Sequence, residues 1–210
     1  MNILIACEYS GRVRRAFAAK GHRVYSCDLL PADDYDANHL MTDALDVIYS
    51  TPWDLIIAHP PCTYLTNSAE WAYGDGPYHQ KVKPGTLVGE ERREARRDAV
   101  AFFMSIWKAD CPKICIENPI GFMSSLIKPT QYIQPYEYGE DASKKTCLWL
   151  KGLPPLKPTN YVEPRIVNGR KRWSNQTDSG QNKLAPSDAR GHVRSLTPQG
   201  WADAMAAQWG

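Results

Sequence analysis

Short apolar runs alternate with stretches of helical periodicity along the first 150 residues. Runs of mostly apolar residues predict strands in NILIAC, HRVYSC, WDLIIAH, KICIEN and KTCLWL. The segment GRVRRAFAAKG predicts a helix, GEERREARRDAVAFFMSIWKAD a long helix with an exposed arginine-rich start, and PQGWADAMAAQW a C-terminal helix. Strands that are apolar throughout are typical of parallel sheets covered by helices. The pattern therefore predicts an α/β fold, with a mostly parallel sheet and helices on both faces.

Two stretches interrupt this alternation. Residues 69–89 contain four glycines and two prolines, which predicts a long mobile loop. Residues 151–197 are rich in proline and have almost no periodicity, and between 157 and 195 the lysines and arginines outnumber the acids, eight to three. Long irregular segments inside compact domains are usually functional or disordered. We therefore expect a domain at 1–150, a short basic segment at 151–197, and a helix at 198–210 that packs back on the domain.

Length and composition narrow the class of protein. A chain of 210 residues can form one domain with a substantial core, and its net charge of +2 indicates no particular partner. No apolar run approaches the roughly 20 residues that a membrane helix needs. The N-terminus is apolar first and basic afterwards, the reverse of a secretory signal. We therefore expect a monomer in the cytoplasm, with no membrane partner.

The six cysteines predict neither disulfides nor a metal site. Three of them follow or lie within strand-like runs, and there is no secretory signal that would indicate an oxidising compartment. No pair has the C-x-x-C spacing of zinc ligands, and Cys111 and Cys115 are four residues apart with a proline between them. We therefore expect reduced thiols and no metal.

Polar residues follow the ends of the predicted strands, which is where open α/β sheets bind ligands. The residues after the first strand form either an ordinary turn at Gly11 or a cofactor turn. Asp28 is suited to the hydroxyls of a ribose, although it could equally be a helix cap or a surface acid. Asp43 is either a helix cap or a contact for an adenine amino group. The full set of such residues is Cys7, Glu8, Tyr9, Ser10, Gly11, Asp28, Asp43, His59, Pro60, Cys62, Glu117 and Asn118.

Cys62 follows a pair of prolines at the end of a predicted strand. Prolines fix the backbone angle φ and donate no ladder hydrogen bond, so Pro60 and Pro61 end the strand stiffly. A thiol held at a strand tip beside a cleft is a candidate nucleophile. The alternative is a cysteine that merely packs beside a turn.

Glu117 and Asn118 directly follow the next predicted strand, KICI. A carboxyl inside an apolar cleft should have a raised pKa. Such a carboxyl can donate a hydrogen bond to a ring nitrogen when protonated and can accept one from an exocyclic amine, as recognition of a cytosine edge requires. The alternative is an acid that caps the turn at NPIG.

The stretches HPPCTYLTNS and CIENPIGFM resemble the Pro-Cys and Glu-Asn-Val motifs of DNA cytosine-5 methyltransferases, and the short versions found in phages are the most similar. The resemblance covers about residues 1–126. It implies a Rossmann-like fold that uses S-adenosylmethionine, with a very small target-recognition region and DNA as partner. It also implies a protein that acts in the cytoplasm of a bacterial host cell.

The resemblance also implies residue roles. Cys62 would attack C6 of cytosine, Glu117 would contact N3 and the amino group, and residues 69–89 would close over the flipped base. Asn118, Lys144 and Lys145 would bind the substrate, the lysines taking the place of the family's Gln-x-Arg-x-Arg motif. The implied cofactor contacts are Cys7, Glu8, Tyr9, Ser10, Gly11, Asp28, Leu29, Asp43, His59 and Pro60.

The sequence departs from the family pattern in the Gln-x-Arg-x-Arg motif that the lysines replace, in a late Gly-Asn motif that is missing, in the glycine turn and in the recognition region. Of the family's aromatic-x-Gly-x-Gly turn, only Gly11 is present. The recognition region is short, and its cations bind phosphates without reading sequence, which predicts a short or relaxed target site. The residues of this region that we expect to contact the DNA backbone or stack on bases are Tyr161, Arg165, Arg170, Lys171, Arg172 and Trp173. The alternative is that this stretch is a solvated basic tail.

Three other functions are also compatible with the sequence. The first is a catalytically silent DNA-binding relative, which the altered glycine turn favours and the intact Pro-Pro-Cys and Glu-Asn pairs oppose. The second is a methyltransferase that acts on amino nitrogens, which His59 before the prolines and Cys62 after them oppose. The third is a C5 methyltransferase of free pyrimidine nucleotides, which the small recognition region favours.

Overall fold

A seven-stranded sheet forms the centre of the protein in the computed structural model, which describes residues 1–185, 187 and 190–210. Its strands are β1 (Asn2–Ala6), β2 (Arg23–Asp28), β3 (His39–Met41), β4 (Leu55–Ala58), β5 (Ile114–Pro119), β6 (Gln131–Ile133) and β7 (Thr146–Lys151). The spatial order is β3-β2-β1-β4-β5-β7-β6. The first five strands are parallel, β7 is antiparallel to β5, and β6 is antiparallel to β7. The predicted fold class is confirmed.

Six α-helices accompany the strands in the described part of the chain. They are α1 (Arg12–Ala18), α2 (Ala44–Ser50), α3 (Gly89–Lys108), α4 (Phe122–Leu126), α5 (Arg190–Ser195) and α6 (Gln199–Trp209). All five predicted strands and all three predicted helices are present. The sequence analysis missed the short strands β3 and β6, and also a hairpin of β8 (Arg165–Val167) and β9 (Arg170–Arg172).

Helices cover both faces of the sheet, as the uninterrupted apolar strands predicted. On one face α2 and α3 bury Val47 and Phe103 against the sheet. On the other face α1 and α6 pack together and bury Phe17, Trp201 and Met205. Burial on both faces explains why all four residues of β4 are inaccessible to solvent. The polar residues that follow each strand are therefore left at the sheet edge.

Arg14 on α1 is an exception to the apolar packing. Its side chain is buried and forms ion pairs with Asp34 and Asp36 in the loop after β2. These pairs fix that loop beside the first turn of α1. Within the described ranges, no helix has the length and apolar character needed to cross a membrane.

Candidate active site

Cys62 lies in a tight turn at the end of β4. The backbone N–H of His59 donates to the carbonyl of Ala6 over 2.9 Å, which extends the sheet to the proline pair. The Cys62 carbonyl then accepts hydrogen bonds from the backbone of Leu65 and Thr66, each at 3.0 Å. The thiol is partly buried. The structure therefore places Cys62 at a stiff strand tip, as predicted.

The electrostatic surroundings of Cys62 act in opposite directions. Burial and the nearby charge of Glu117 raise the pKa of the Cys62 thiol, while Lys144 and Arg194 act to lower it. Cys62 and the three charged side chains that act on it come from four different parts of the chain. The net effect is a raised pKa of the thiol, although two cations favour its ionised form.

Glu117 lies on β5, which is the parallel neighbour of β4. Its carboxylate oxygen Oε2 is 3.2 Å from Nδ1 of His59. Burial alone raises the pKa of Glu117, but the hydrogen bond from His59 and the positive charge of Lys144 outweigh burial and lower this pKa. The expectation of a raised pKa was therefore wrong, because it considered the apolar cleft without the partners that the fold supplies.

Asn118 binds the turn rather than an open cleft. Its side-chain Nδ2 donates to the Pro60 carbonyl over 2.8 Å, and the pair is buried. Its other side-chain atom, Oδ1, is buried and has no partner within the described residues. Two residues further along the chain from Pro119, the backbone at Gly121 pairs with Thr66. The end of β5 thus holds both sides of the Cys62 turn.

A cavity of about 400 Å³ opens beside this turn, at the carboxyl ends of β1 and β2. We call it the large cavity, in contrast to a small cavity that lies next to His59. Of the ten predicted cofactor residues, Cys7, Asp28, Leu29 and Asp43 line it. Asp28 accepts a hydrogen bond from the backbone of Leu30, and Asp43 caps α2 through the backbone N–H of Leu45. The capping alternative for Asp43 is therefore correct, and its side chain also borders the cavity.

One wall of this cavity was missed by the sequence analysis. It consists of residues on α3, and Pro61 and Tyr64 also contribute. The signal was a face of the long predicted helix with the spacing i, i+3, i+4 and i+7. The α3 residues on this wall are Ala95, Asp98, Ala99 and Phe102.

The residues after β1 mainly build the start of α1. Glu8 is buried and accepts hydrogen bonds from the backbone of Val13 and Arg14 and from the Ser10 hydroxyl. Gly11 has φ of +67°, and a Cβ there would collide with the Asp34 carboxylate. Glu8 and Ser10 are thus committed to the helix start and, with Tyr9, lie outside the large cavity.

His59 and Pro60 also lie outside the large cavity. His59 instead lines a small cavity of about 50 Å³ together with the residues after β1. At this small cavity, Tyr9 hydrogen-bonds Ser195, and its ring packs on His192. The predicted cofactor contacts of this group are therefore not supported by the lining of the large cavity.

The two lysines before β7 have different surroundings. Lys144 donates to the Arg194 carbonyl over 3.1 Å, and its charge reaches Cys62 and Glu117. Lys145 lies 4.6 Å from the centre of the Tyr132 ring. Only Lys144 is therefore brought to the candidate site.

A second cavity, of about 590 Å³, lies next to Lys144. Its cationic side chains are Lys144, Lys183 and Arg194, and Asn175 and Asn182 add amide groups. Two of these cations, Lys144 and Arg194, also act on the Cys62 thiol, although Cys62 itself does not line this cavity.

Arginines of α3 hold the first part of the segment 69–89, which was predicted to be mobile. Arg96 lies 3.4 Å from the centre of the Tyr73 ring, and it forms an ion pair with Glu70. Arg93 donates to the Tyr73 carbonyl over 2.6 Å. The prediction of an exposed arginine-rich start to this helix was wrong, because these side chains bind the loop.

The basic segment also differs from expectation. Trp173 is buried and stacks on Tyr136 with ring centres 4.0 Å apart, so it cannot stack on a base. Arg165 forms an ion pair with Asp178, and Arg172 donates to the Asp178 carbonyl. Arg170 and Lys171 remain exposed on the hairpin.

All six cysteines are free thiols. In the described part of the chain, no three His, Cys, Asp or Glu residues are grouped in a way that could hold a metal ion.

Comparisons with known proteins find structural likeness only. No family model matches the sequence, and no curated protein matches it. An rRNA methylase of Escherichia coli shares 13% identity over 71% of this chain and 55% of its own, with a TM-score of 0.36. A mutant DNMT2 of Spodoptera frugiperda shares 17% identity over 81% of this chain and 57% of its own, with a TM-score of 0.38. The chain thus spans little more than half the length of either structure.

Proposed function

We propose that this protein transfers a methyl group from S-adenosylmethionine to C5 of cytosine in DNA, through a covalent bond between Cys62 and C6. The observation that carries the proposal is the pairing of two side chains at adjacent strand tips. Cys62 follows β4 and Glu117 lies on β5, and the charge of Glu117 raises the pKa of the Cys62 thiol. A nucleophile and a carboxyl at adjacent strand tips are what addition to a pyrimidine ring requires.

Cys62 would attack C6 as a thiolate. Its pKa is raised in the free protein, so proton loss must accompany substrate binding, and the charges of Lys144 and Arg194 favour the ionised form. Formation of the S–C6 bond breaks the C5–C6 π bond, and a proton at N3 makes the ring an enamine that is nucleophilic at C5. After methylation, loss of the C5 proton and of the N3 proton restores the π bond and expels Cys62 as a thiolate.

Glu117 would orient the cytosine. As a carboxylate, it can accept a hydrogen bond from the exocyclic amine. When it has taken up a proton, it can supply that proton to N3. Because Glu117 is fixed on β5 and held by His59, it costs little reorganisation when the base arrives.

The large cavity has the groups that S-adenosylmethionine would need. Leu29, Ala44 and Phe102 offer apolar surface for the adenine, while Asp28 and Asp43 offer carboxylates for the ribose hydroxyls and the amino group. When bound, this cofactor supplies an electrophilic methyl group on a sulfonium. Pro61 and Tyr64 place the cavity directly against the Cys62 turn.

The second cavity and the hairpin would bind the DNA. Lys144, Lys183 and Arg194 can contact phosphates, and Arg170 and Lys171 add exposed cations. Such contacts position a polynucleotide without reading its sequence. The proposal therefore includes a short or relaxed target site and a target base flipped from the duplex. Action as a monomer in the cytoplasm and a phage origin stay predictions.

The test is mass spectrometry of digested substrates after incubation with S-adenosylmethionine. The wild type should produce 5-methyldeoxycytidine in duplex DNA, and Cys62→Ser should produce none. Cys111→Ser is a matched control, because Cys111 is buried just before the start of β5, at the other end of the strands from Cys62, and a hydroxyl can donate to either the Trp53 or the Lys113 carbonyl, which its thiol contacts.

Other outcomes would identify the competing functions. N4-methyldeoxycytidine would indicate transfer to an amino nitrogen, and methylation confined to RNA would replace DNA as the substrate. Methylation of free deoxycytidine monophosphate alone would indicate a nucleotide enzyme. Binding of S-adenosylmethionine and DNA without any product would indicate a silent relative.

A further inference from the structure

His59 is the group in the site that the proposed mechanism does not yet use. Its side chain is only 9% exposed, and its two ring nitrogens have different surroundings. Nδ1 lies 3.2 Å from Oε2 of Glu117, whereas Nε2 is buried and has no hydrogen-bond partner within the described residues. An unpaired buried polar atom is costly and is most often explained by a water molecule or by a role in chemistry.

A small polar cavity borders the His59 side chain. His59 lines this space of about 50 Å³ together with Tyr9, Ser10 and Ser195, whose hydroxyls can hold water. That volume admits roughly one or two water molecules. His59 therefore contacts both this polar cavity and the carboxyl of Glu117.

Glu117 needs such a route because of the task assigned to it. The hydrogen bond from His59 and the charge of Lys144 keep its pKa low, so it is ionised before substrate binds. An ionised carboxylate has no proton for N3. The proton must therefore reach Glu117 during the reaction, and His59 is placed to carry it because it contacts both Glu117 and the small polar cavity.

We propose that His59 relays a proton between the small cavity and Glu117, and so supplies and later recovers the proton that N3 of the cytosine holds. This inference rests on the proposed function. Nε2 accepts a proton from a water molecule or hydroxyl in the cavity, Nδ1 gives its proton to Oε2 of Glu117, and Glu117 passes a proton to N3. When Cys62 is expelled, N3 returns its proton to Glu117, and the same steps run backwards. One proton enters the chain for each proton that leaves it.

Charges around the imidazole come from several elements. Glu117 faces it from β5, and Lys144 acts on the same carboxylate from the segment before β7. The end of β1 contributes ionisable groups at the small cavity, and they are Cys7, Glu8 and Tyr9. Because Glu8 is already bonded to the backbone of α1, its carboxylate does not compete with Glu117 for the imidazole.

Two substitutions separate relay from simple support. His59→Asn places an amide nitrogen where Nδ1 lies, so it can still donate to Glu117 but cannot move a proton. His59→Gln places its amide nearer to Nε2. A relay needs both nitrogens, so each variant should lower kcat for DNA methylation about 100-fold, with KM for DNA and the affinity for S-adenosylmethionine changed by less than about threefold.

A support role predicts a different pattern. His59→Asn would then keep kcat within about threefold of wild type, and that result would overturn the relay. The control is His22→Asn, which changes a histidine near the N-terminus that hydrogen-bonds Met1. His59→Gly should be inactive but regain at least about tenfold in kcat with added imidazole, and no gain in a folded His59→Gly protein would also count against the relay.

Failure of the proposed function is distinguishable from failure of the relay. If the wild type methylates DNA and His59→Asn does so equally well, only the relay is wrong. If the wild type produces no methylated base, the proposed function is wrong and the relay falls with it. Nitrogen-15 NMR of the imidazole adds a check without turnover: at neutral pH the relay requires a proton on Nδ1 and none on Nε2, and the opposite tautomer would refute it.

Discussion

The bond between Asn118 and Pro60 should be essential to the position of Cys62. This single buried hydrogen bond, 2.8 Å long, joins the tip of β5 to the proline pair that precedes the cysteine. Asn118→Ala removes the donor and leaves the proline carbonyl buried without a partner. The two prolines have no backbone N–H, so the proline pair itself offers no donor that could take the place of the Asn118 amide.

The expected size of the effect follows from those groups. Leaving a buried acceptor unsatisfied costs about 1–3 kcal/mol. The substitution also removes Oδ1 of Asn118, which has no partner among the described residues, and this offsets part of the loss. We therefore expect the free energy of unfolding to fall by about 1–2 kcal/mol. A displacement of Cys62 by about 1 Å should lower kcat by up to about 100-fold.

Urea denaturation and steady-state methylation measure the two effects separately. The control is Asn38→Ala, which changes an exposed asparagine at the far edge of the sheet and should leave both quantities unchanged. If Asn118→Ala lost less than about 0.5 kcal/mol and kept its kcat, this bond would not be what holds the Cys62 turn.

Three further predictions concern the surroundings of the site. Gly121→Ala should cost about 1–3 kcal/mol in urea denaturation, because its Cβ would collide with the Leu65 carbonyl, and an unchanged midpoint would contradict this close approach. Arg96→Lys should speed chymotrypsin cleavage after Tyr73, because lysine lacks the planar group that lies on this ring; equal rates would mean the loop is held otherwise. Burial raises the pKa of Asp34, but the hydrogen bond from Arg15 and the charge of Arg14 outweigh burial and lower this pKa. Ionised Asp34 therefore stabilises the fold fully at pH values above the ordinary carboxyl pKa of about 4. This stabilisation is lost as the pH falls through the lower pKa that Asp34 has in the folded protein. As the pH falls below about 4, the urea concentration at the midpoint of unfolding should therefore decrease in the wild type and decrease less in Asp34→Asn. The same dependence on pH in both proteins would refute this role of Asp34.

Much of the fold follows from local patterns in the sequence. The apolar run LIIA is long enough only for a buried strand, and it became β4. The cap at Asp43 was recognisable from its position before a helical stretch. The hairpin of β8 and β9 carried a signal that was missed, since Asn168 and Gly169 form the kind of two-residue turn that joins antiparallel strands.

The electrostatics of the site could not be obtained in this way. The pKa of Glu117 depends on His59 and Lys144, which come to it from distant parts of the sequence. Trp173 looked suited to base stacking until the fold placed Tyr136 against it. Such pairings depend on long-range packing, and no local spacing encodes them.

The proposed function depends on a covalent bond between Cys62 and a cytosine ring. The most direct test incubates the protein with S-adenosylmethionine and a duplex that contains 5-fluorodeoxycytidine, because fluorine cannot leave C5 as a proton does and the adduct should persist. Intact-mass measurement should then show one oligonucleotide per chain, attached at the peptide containing Cys62 and absent from Cys62→Ser. No adduct with the wild type, or an adduct at another cysteine, would contradict the account.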